Sequence, residues 1–241
     1  PLQFTVKILV FSSVFQITYR NMPEIVDQRA LWEEQHVRRF CEHQQLIDVP
    51  SNFAHVGSLY LPEDGIVLEI GAGNGRDARF LADGKRVVLA TEFAVNAVHQ
   101  TAEANRILGA EGKVIPVLAD AKNLPLREID VPLEAVYARS SLHLADDELE
   151  DTLVLIYQYL RDGGYIMIEG KNDSDPKMIR SKQISPNLLV DDAGHVRRLW
   201  NQQNIETLRQ KFGFRILEIV NETEVIGEET TNFTYFIAQK A

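Results

Sequence analysis

Apolar runs alternate with amphipathic stretches between residues 65 and 170, and this alternation predicts a parallel β-sheet covered by helices. Helical spacing of apolar positions follows the first, second and fourth runs, at 77–83, 94–108 and 146–160. Gly163 and Gly164 are expected to end the last of these helices. The apolar runs themselves predict five strands, with the sequences GIVLEI, RVVLAT, KVIPVLA, LEAVYAR and YIMIEG.

The C-terminal part of the chain breaks this rhythm. After a predicted helix at 204–213, the segments FRILEIVNET and TNFTYFIAQK predict two strands with no helix between them. Such a pair is typical of a hairpin, which adds one antiparallel strand to an otherwise parallel sheet. The whole pattern therefore predicts an α/β fold: a doubly wound, Rossmann-like sheet that is mostly parallel and has an antiparallel last strand.

Two segments of different character precede the first strand, and the second begins at Met22. Residues 4–19 are apolar, but they are too short to span a bilayer and Lys7 interrupts them. We predict that residues 1–21 are an extension outside the functional core; a weak membrane or partner-binding segment is the alternative. Residues 22–241 are expected to form one domain, which opens with a polar helical segment at 23–45 and a short helix within 49–65.

Composition and charge narrow the class of protein. The 241 residues are 45% hydrophobic, which is enough for a full-sized core, and the formal net charge of −10 argues against nucleic acid or an anionic membrane surface as a stable partner. The single cysteine of this sequence, Cys41, leaves no intramolecular disulfide and no cysteine-based metal cluster. We therefore expect a cytoplasmic protein without a metal site.

Three glycines at alternating positions follow the first strand, in the segment VLEIGAGNGRD. Gly71, Gly73 and Gly75 allow a tight turn and a close approach of the backbone to a ligand. Arg76 stands where the dinucleotide-binding fingerprint has its third glycine, so the spacing does not fit that fingerprint. Glu69 precedes the loop, where a carboxylate is poorly placed for a phosphate and well placed for the sulfonium and ammonium groups of S-adenosylmethionine.

Acidic residues end the next two strands. Glu92 is placed to accept hydrogen bonds from ribose hydroxyls, a geometry that nicotinamide cofactors also use. Asp120 is placed to accept a bond from the exocyclic amine of adenine, with backbone groups offered by Ala121. Because ligands bind at the carboxyl ends of parallel strands, these groups are expected to lie together with the glycine loop.

Five segments resemble, in order and spacing, the motifs of class I S-adenosylmethionine-dependent methyltransferases: VLEIGAGNGRD, ATEFA, ADAKNLP, YARSSLHLADDE and LRDGGYIMIE. The resemblance extends from Ser51 to the C-terminus. It implies a seven-stranded sheet with an antiparallel last strand, S-adenosylmethionine as the cofactor, and methyl transfer as the activity.

The same resemblance implies a set of cofactor-binding residues. Glu69 would lie near the methionine end, Glu92 would hold the ribose, and Phe93 would pack near the adenine, whose edge Asp120 and Ala121 would fix. The complete set is Glu69, Gly71, Ala72, Gly73, Asn74, Gly75, Glu92, Phe93, Asp120, Ala121, Arg139 and Ser140, of which the last two would also border the acceptor.

The acceptor side is marked by residues after the fourth and fifth strands. His143 is the candidate catalytic residue, either as a general base or as an orienting group; capping of the following helix or packing beneath it is the alternative. An acidic group of the acceptor has possible partners in His195, Arg197 and Arg198, with Lys171 and Asp175 near them; a surface ion-pair cluster is the alternative.

Two aromatic residues precede the glycine loop in the sequence. For Trp32 and Phe53, closure over the cofactor as a lid is the alternative to packing in the core. We expect both to pack in the core instead.

Several kinds of acceptor fit the residues poorly. The fourth strand ends in ARSSLH and lacks the Asn/Asp-Pro-Pro-Tyr run typical of methyltransferases that act on base amines, and Cys41 precedes the loop, where it does not serve covalent attack on a pyrimidine. We therefore expect a small-molecule acceptor. Two other functions stay open: an NAD-dependent oxidoreductase, and a protein that binds S-adenosylmethionine without turnover.

Overall fold

The computed structural model describes residues 27–42, 49–226 and 229–241, so the predicted extension at 1–21 lies outside the described residues and stays a prediction. Two helices, α1 (Gln28–Glu42) and α2 (Asn52–Ser58), precede the sheet. The elements that follow are β1 (Asp64–Ile70), α3 (Arg76–Leu81), β2 (Lys85–Glu92), α4 (Val95–Leu108), β3 (Val114–Leu118), β4 (Leu133–Arg139), α5 (Asp146–Tyr159), β5 (Leu160–Lys171), α6 (Pro176–Arg180), β6 (Lys182–Ser185), β7 (Leu188–Val190), β8 (Val196–Arg198), α7 (Gln202–Phe212), β9 (Arg215–Ile226) and β10 (Glu229–Gln239).

Seven strands form the main sheet in the order β3-β2-β1-β4-β5-β10-β9. Strands β1 to β5 pair in parallel, whereas β10 runs antiparallel to both of its neighbours, β5 and β9. The predicted mostly parallel sheet with an antiparallel last strand is confirmed. The order reverses between β1 and β4, and such a switch point opens a crevice at the carboxyl ends of the strands.

The two faces of the sheet bury separate hydrophobic clusters, because side chains alternate along each strand. On β4, Val136 and Ala138 join the cluster that includes residues of α5 and α7, whereas Ala135 and Tyr137 join the cluster that includes residues of α2 and α3. Helices therefore cover both faces, which confirms the doubly wound arrangement. Phe53 is fully buried in the second cluster, as expected for a core residue.

Gly163 and Gly164 do not end a helix, and this sequence prediction is wrong. The helix α5 ends at Tyr159, and both glycines lie inside β5. Leu160 is buried and already pairs with Leu133, so burial of this side chain draws the chain into the sheet before the glycines. The pairing then shifts register, and Gly163 takes a φ of +72° within this irregular segment.

A small antiparallel sheet between β5 and α7 does not follow from the sequence pattern. Its three strands have the order β6-β7-β8 and are only three or four residues long, too short for an alternation of apolar residues to stand out. Trp200, which follows this sheet, packs against Gly170, where an added Cβ would lie 2.1 Å from the indole Cδ1. The small sheet is thereby fixed beside the end of β5.

A buried polar network attaches α2 to the segment that follows the glycine loop. The Asp77 carboxylate accepts hydrogen bonds from the Ser51 N–H at 2.8 Å, from Ser51 Oγ at 2.8 Å and from the Tyr137 hydroxyl at 2.9 Å. Ser51 also caps α2 by accepting a bond from Ala54 N–H. One carboxylate therefore ties together the start of α2, the first turn of α3 and the centre of β4.

We expect Tyr137→Phe to lower the free energy of unfolding by about 1–3 kcal/mol, because it removes one buried hydrogen bond to a charged group. Urea denaturation at neutral pH measures the change. Tyr159→Phe is the matched control, because no hydrogen bond of the Tyr159 hydroxyl exists among the described residues. Equal stability of the two variants would contradict the role assigned to the network.

Candidate active site

A cleft of about 1320 Å³ lies at the carboxyl ends of the parallel strands. It exceeds the roughly 300–1,000 Å³ typical of a site for one small ligand, so it has room for more than one. All twelve predicted cofactor-binding residues except Gly75 line it, and so does His143. The residues brought from four strand ends are Glu69, Glu92, Asp120 and Arg139.

The glycine loop between β1 and α3 depends on the absence of side chains. Gly71, Gly73 and Gly75 have φ values of +72°, +57° and +74°, a region that favours glycine. A Cβ on Gly71 would lie 2.2 Å from Ser141 Cβ, and one on Gly75 would lie 2.6 Å from Thr101 Cγ2. The loop therefore packs directly against the β4–α5 connection and against α4, with its backbone facing the cleft.

Backbone hydrogen bonds hold the loop to β2. The N–H groups of Gly71 and Ala72 both donate to the Thr91 carbonyl, at 2.8 and 3.0 Å. At the start of α3, Asn74 Oδ1 accepts a hydrogen bond from Arg76 N–H at 3.3 Å. The loop conformation is thus set before any ligand is bound.

Glu69 is a buried carboxyl with unused hydrogen-bonding capacity. It is 3% exposed, and its Oε2 has no hydrogen-bond partner among the described residues. Burial, reinforced by the charge of Asp77, raises its pKa well above the usual range. A ligand cation at this point would compensate the buried carboxylate.

Glu92 joins the end of β2 to the glycine loop. Its Oε1 accepts bonds from the N–H groups of Phe93 (2.7 Å) and Ala94 (3.0 Å), and its Oε2 accepts one from Gly73 N–H (3.0 Å). A carboxylate has about four acceptor positions, so one position is left for a ligand hydroxyl. The predicted contact with ribose stays a prediction.

The predicted adenine end lies after β2 and β3. Phe93 is half-buried, with the Arg29 guanidinium 5.9 Å from its ring centroid. Asp120 accepts a hydrogen bond from Lys122 N–H at 3.0 Å and so caps the short 3₁₀ helix Ala121–Asn123. Its carboxylate is thereby oriented at the wall of the cleft, where the residues named from the sequence do come together.

Arg139 lines the cleft and pairs with two carboxylates. Its Nε lies 2.7 Å from Glu169 Oε1 and its Nη2 lies 2.8 Å from Glu224 Oε2, while its guanidinium stacks over Phe233 at 5.2 Å. Burial raises the pKa of Glu169 to about 7, an effect that the charge of Arg139 opposes. Next to Arg139, Ser140 has a φ of +52°, which turns the chain from β4 towards the glycine loop.

His143 lies in the wall of the cleft as a neutral imidazole. Burial, followed by the positive charge of Arg197, lowers its pKa well below the usual range. The Arg198 N–H donates to His143 Nδ1 at 3.2 Å, so the ring proton is on Nε2. Both nitrogens are then unsuited to accept a proton, and this geometry favours the orienting role over that of a general base.

The three basic residues of β8 and its approach have different surroundings. Arg198 donates to the Leu144 carbonyl at 2.8 Å and to Asp146 Oδ1 at 2.6 Å, and it does not line the cleft. His195 is buried against Trp32 and also lies outside the lining. Arg197 alone of the three reaches the cleft. Of the other two candidates, Lys171 lines the cleft, whereas Asp175 is fully buried.

The helix α1 closes the cleft, which the sequence pattern does not predict. Trp32 lines the cleft and stacks on His143 with ring centroids 5.6 Å apart and an interplanar angle of 15°. At the cofactor side, His36 Cε1 lies 3.4 Å from where a Gly73 Cβ would be. The expectation that Trp32 packs in the core is therefore wrong: the ring is half-buried in the cleft wall.

Hydrogen bonds fix α1 to both sides of the cleft. Glu33 accepts bonds from the N–H groups of Val95 and Asn96 at the start of α4. Gln28 donates to the Gly194 carbonyl at 3.0 Å and accepts a bond from Val196 N–H at 2.8 Å, on the small sheet. The helix thus extends from the start of α4 to the small sheet.

The described residues hold neither a metal site nor a helix that could span a membrane. Among residues 27–42, 49–226 and 229–241, no group of three or more His, Cys, Asp or Glu side chains is arranged to hold a metal ion. Nor does any helix of the described chain have the length and apolarity that crossing a membrane requires.

Comparisons with known proteins agree with this geometry. The family model of the methyltransferase domain matches residues 67–164, whereas no curated protein matches the chain. An S-adenosylmethionine-dependent methyltransferase from Methanosarcina mazei is similar in structure, with a TM-score of 0.63, 16% identity, and coverage of 77% of this chain and 96% of that one.

Two further solved structures have the same fold at low sequence identity. The 1,6-didemethyltoxoflavin-N1-methyltransferase of Burkholderia thailandensis, solved with S-adenosylhomocysteine, has a TM-score of 0.61 and 17% identity, with 93% of each chain covered. A methyltransferase from Clostridium acetobutylicum has a TM-score of 0.60 and 14% identity, with 90% of this chain and 93% of that one covered. The matched model thus identifies a methyltransferase domain within residues 67–164, and these solved methyltransferases share the fold of the chain.

Proposed function

We propose that the protein transfers the methyl group of S-adenosylmethionine to a small-molecule acceptor inside the cleft. The observation that carries this proposal is that one cleft extends from the glycine loop to a region lined by Trp32 of α1 and Arg197 of β8, which we call the acceptor compartment. A concave region of this kind suits a small-molecule acceptor rather than a segment of a macromolecule. The net charge of −10 also disfavours a nucleic-acid acceptor.

The residues present fit S-adenosylmethionine. Glu69 offers a buried, unpartnered carboxyl oxygen to a cationic ligand, and the loop offers backbone at positions where a Cβ would collide with its neighbours. Glu92 and Asp120 would hold the ribose and the adenine edge, with Phe93 and Ala121 beside them. When bound, this cofactor supplies an electrophilic methyl group and a neutral thioether leaving group.

The residues of the chain contribute alignment and exclusion of water. Gly71 and Ser141 bring the loop and the end of β4 into contact, so a ligand on the loop lies next to the acceptor compartment. Trp32 covers that compartment and limits access of water. Such a site requires no strong acid or base when the acceptor atom is already nucleophilic.

His143 fits the role of an orienting group. With Nδ1 accepting the Arg198 N–H, its remaining polar atom is the Nε2–H donor, and the ring lines the cleft. A donor at this wall would hold an acceptor oxygen in place. We therefore propose that His143 positions the acceptor and does not remove its proton.

Calorimetry and label transfer test the proposed function. We expect wild-type protein to bind S-adenosylmethionine and S-adenosylhomocysteine and to ignore NAD, because the loop lacks the third glycine of the dinucleotide fingerprint. We also expect label from the methyl-labelled donor to appear in a product when pools of small metabolites are supplied. Tight binding of NAD alone would favour an oxidoreductase, and donor binding without any product would favour a binding protein.

We expect Glu92→Ala to weaken donor binding by about 1–3 kcal/mol, the range for losing hydrogen bonds to a charged group. Calorimetric titration with S-adenosylhomocysteine measures the change. Glu103→Ala removes the same charge from an exposed position on α4 and serves as the control. If a folded Glu92→Ala variant binds as tightly as this control, Glu92 does not hold the ribose.

The lowered pKa of His143 predicts a pH dependence of stability. Its ring gains a proton in the unfolded chain as the pH falls through about 6.5, whereas the folded protein resists that proton. As the pH falls, this difference lowers the free energy of unfolding of the wild type by up to about 1.4 kcal/mol per pH unit. The His143→Gln variant has no imidazole at this position and therefore lacks this loss. As the pH is lowered from about 7 to about 5, the variant should therefore gain stability relative to the wild type.

Urea denaturation across this pH range gives the measurement. His99→Gln is the control for the substitution itself, because His99 is exposed on α4. Parallel pH curves for the wild type and His143→Gln would show that the imidazole is not held neutral.

A further inference from the structure

The acceptor side of the cleft has a wall that we call the basic wall, formed by Lys171, Lys177, Arg180 and Arg197. Its cations come from the end of β5, from α6 and from β8. This concentration is notable because the whole chain has a formal net charge of −10. Local positive charge in an acidic protein points to a ligand of the opposite sign.

Arg197 is the central residue of the basic wall. It is 4% exposed, and its Nε faces Asp191 Oδ2 at 3.2 Å, while its guanidinium lies 4.7 Å from the Trp32 ring centroid. Neither of its Nη atoms has a hydrogen-bond partner within the described chain. A nearly buried guanidinium thus presents unused donors in the lining of the cleft.

Asp191, the carboxylate that pairs with Arg197, also accepts hydrogen bonds from other donors. Asp191 Oδ1 accepts bonds from the N–H groups of Ala193 and His195, each at 3.0 Å, and it lies 3.4 Å from His195 Nδ1. These contacts lower the pKa of Asp191, so this carboxylate is ionised and fully engaged. It holds Arg197 in place without occupying the outer edge of the guanidinium.

Lys171 repeats this arrangement beside Arg197. Its Nζ lies 2.8 Å from Asp175 Oδ2 and 5.3 Å from the Phe233 ring centroid. Asp175 also accepts bonds from the N–H groups of Lys177, Met178 and Asn232. The ammonium therefore has two further N–H donors and only one carboxylate, which it shares.

The cations of the wall repel one another. Burial lowers the pKa of Lys171, and the charges of Arg197 and Lys177 lower it further. The acidic side chains at this end of the cleft do not pair with the basic wall. Glu224 pairs with Arg139, and Glu229 is exposed to solvent. Repulsion among half-buried cations is relieved when an anion binds between them.

We propose that Arg197 and Lys171 bind an anionic group of the methyl acceptor, and that this group is a carboxylate. The planar, forked guanidinium matches a carboxylate through two parallel hydrogen bonds, and Lys171 adds a point charge beside it. This inference rests on the proposed function. It makes Arg197 and Lys171 the residues that select the acceptor.

The test uses the wild-type protein saturated with S-adenosylhomocysteine, whose binding is measured first. Acetate, benzoate and inorganic phosphate are then titrated by calorimetry, with acetamide and benzamide as neutral counterparts of the carboxylates. We expect at least one carboxylate to bind about tenfold or more tightly than its amide. If phosphate binds more tightly than either carboxylate, the anionic group of the acceptor is a phosphate, and the assignment of a carboxylate is overturned.

Variants assign the binding to the two residues. We expect Arg197→Gln and Lys171→Met each to reduce the preference for the anion by about tenfold, and Arg197→Lys to keep part of it, because the charge stays and the fork is lost. Arg209→Gln, an exposed change of the same charge on α7, should leave the preference unchanged. Thermal unfolding verifies that each variant is folded.

The outcomes separate the two proposals. Equal binding of carboxylates and amides by wild-type protein overturns the inference while leaving methyl transfer intact. Weaker binding of S-adenosylhomocysteine by Arg197→Gln also overturns it, because Arg197 then holds the carboxylate of the donor. Failure of the wild type to bind S-adenosylhomocysteine overturns the proposed function itself and this inference with it.

Discussion

The close contact between Gly71 and Ser141 is the constraint on which the arrangement of the cleft depends. The two residues follow β1 and β4, the neighbouring strands at which the order of the sheet reverses. Because an added Cβ would lie 2.2 Å from Ser141 Cβ, only glycine permits the two connections to touch, and Ser141 Oγ then bonds the Ile70 carbonyl. The crevice at the switch point is thereby narrowed to one cleft in which a ligand on the loop faces a ligand beyond β4.

The helix α1 completes this cleft by connecting its two sides. At one side Glu33 caps α4, and at the other Gln28 bonds the small sheet, while Trp32 contacts the imidazole of His143. These contacts lie on one helix, so α1 links the glycine-loop side of the cleft to the small sheet.

The sequence predicts those helices and strands that are long enough to show a periodic pattern of apolar residues. It does not predict segments whose conformation depends on tertiary packing. Strand β4 has the predicted bounds, and the terminal hairpin follows from two apolar runs without a helix between them. Gly163 and Gly164 were misleading because Leu160 is drawn into the sheet by burial, an effect of tertiary contact that local propensity does not contain. The strands β6 to β8 are too short to have a periodic signal.

The site could be predicted to the same degree. Glycines and strand-end acids have a fixed spacing along the chain, so Glu69, Glu92 and Asp120 are found from sequence and do line one cleft. Trp32 could not be placed, because it precedes the loop by about forty residues and reaches the cleft only through the packing of α1. Likewise, nothing in the sequence GHVRRLW separates Arg197 from Arg198; alternation along β8 directs one to the cleft and the other to Asp146.

The charges of the cleft are distributed so that each side suits a ligand of opposite sign. On the loop side, Glu69 is a buried carboxyl whose pKa is raised, and a nearby cation would favour its ionised form. On the acceptor side, His143 is held neutral and Arg197 is nearly buried, so an anion there would meet a buried positive charge. A cationic donor and an anionic acceptor would attract each other across the short distance that the Gly71–Ser141 contact imposes. The same constraint that makes the cleft continuous therefore allows opposite charges to bring the two reactants together.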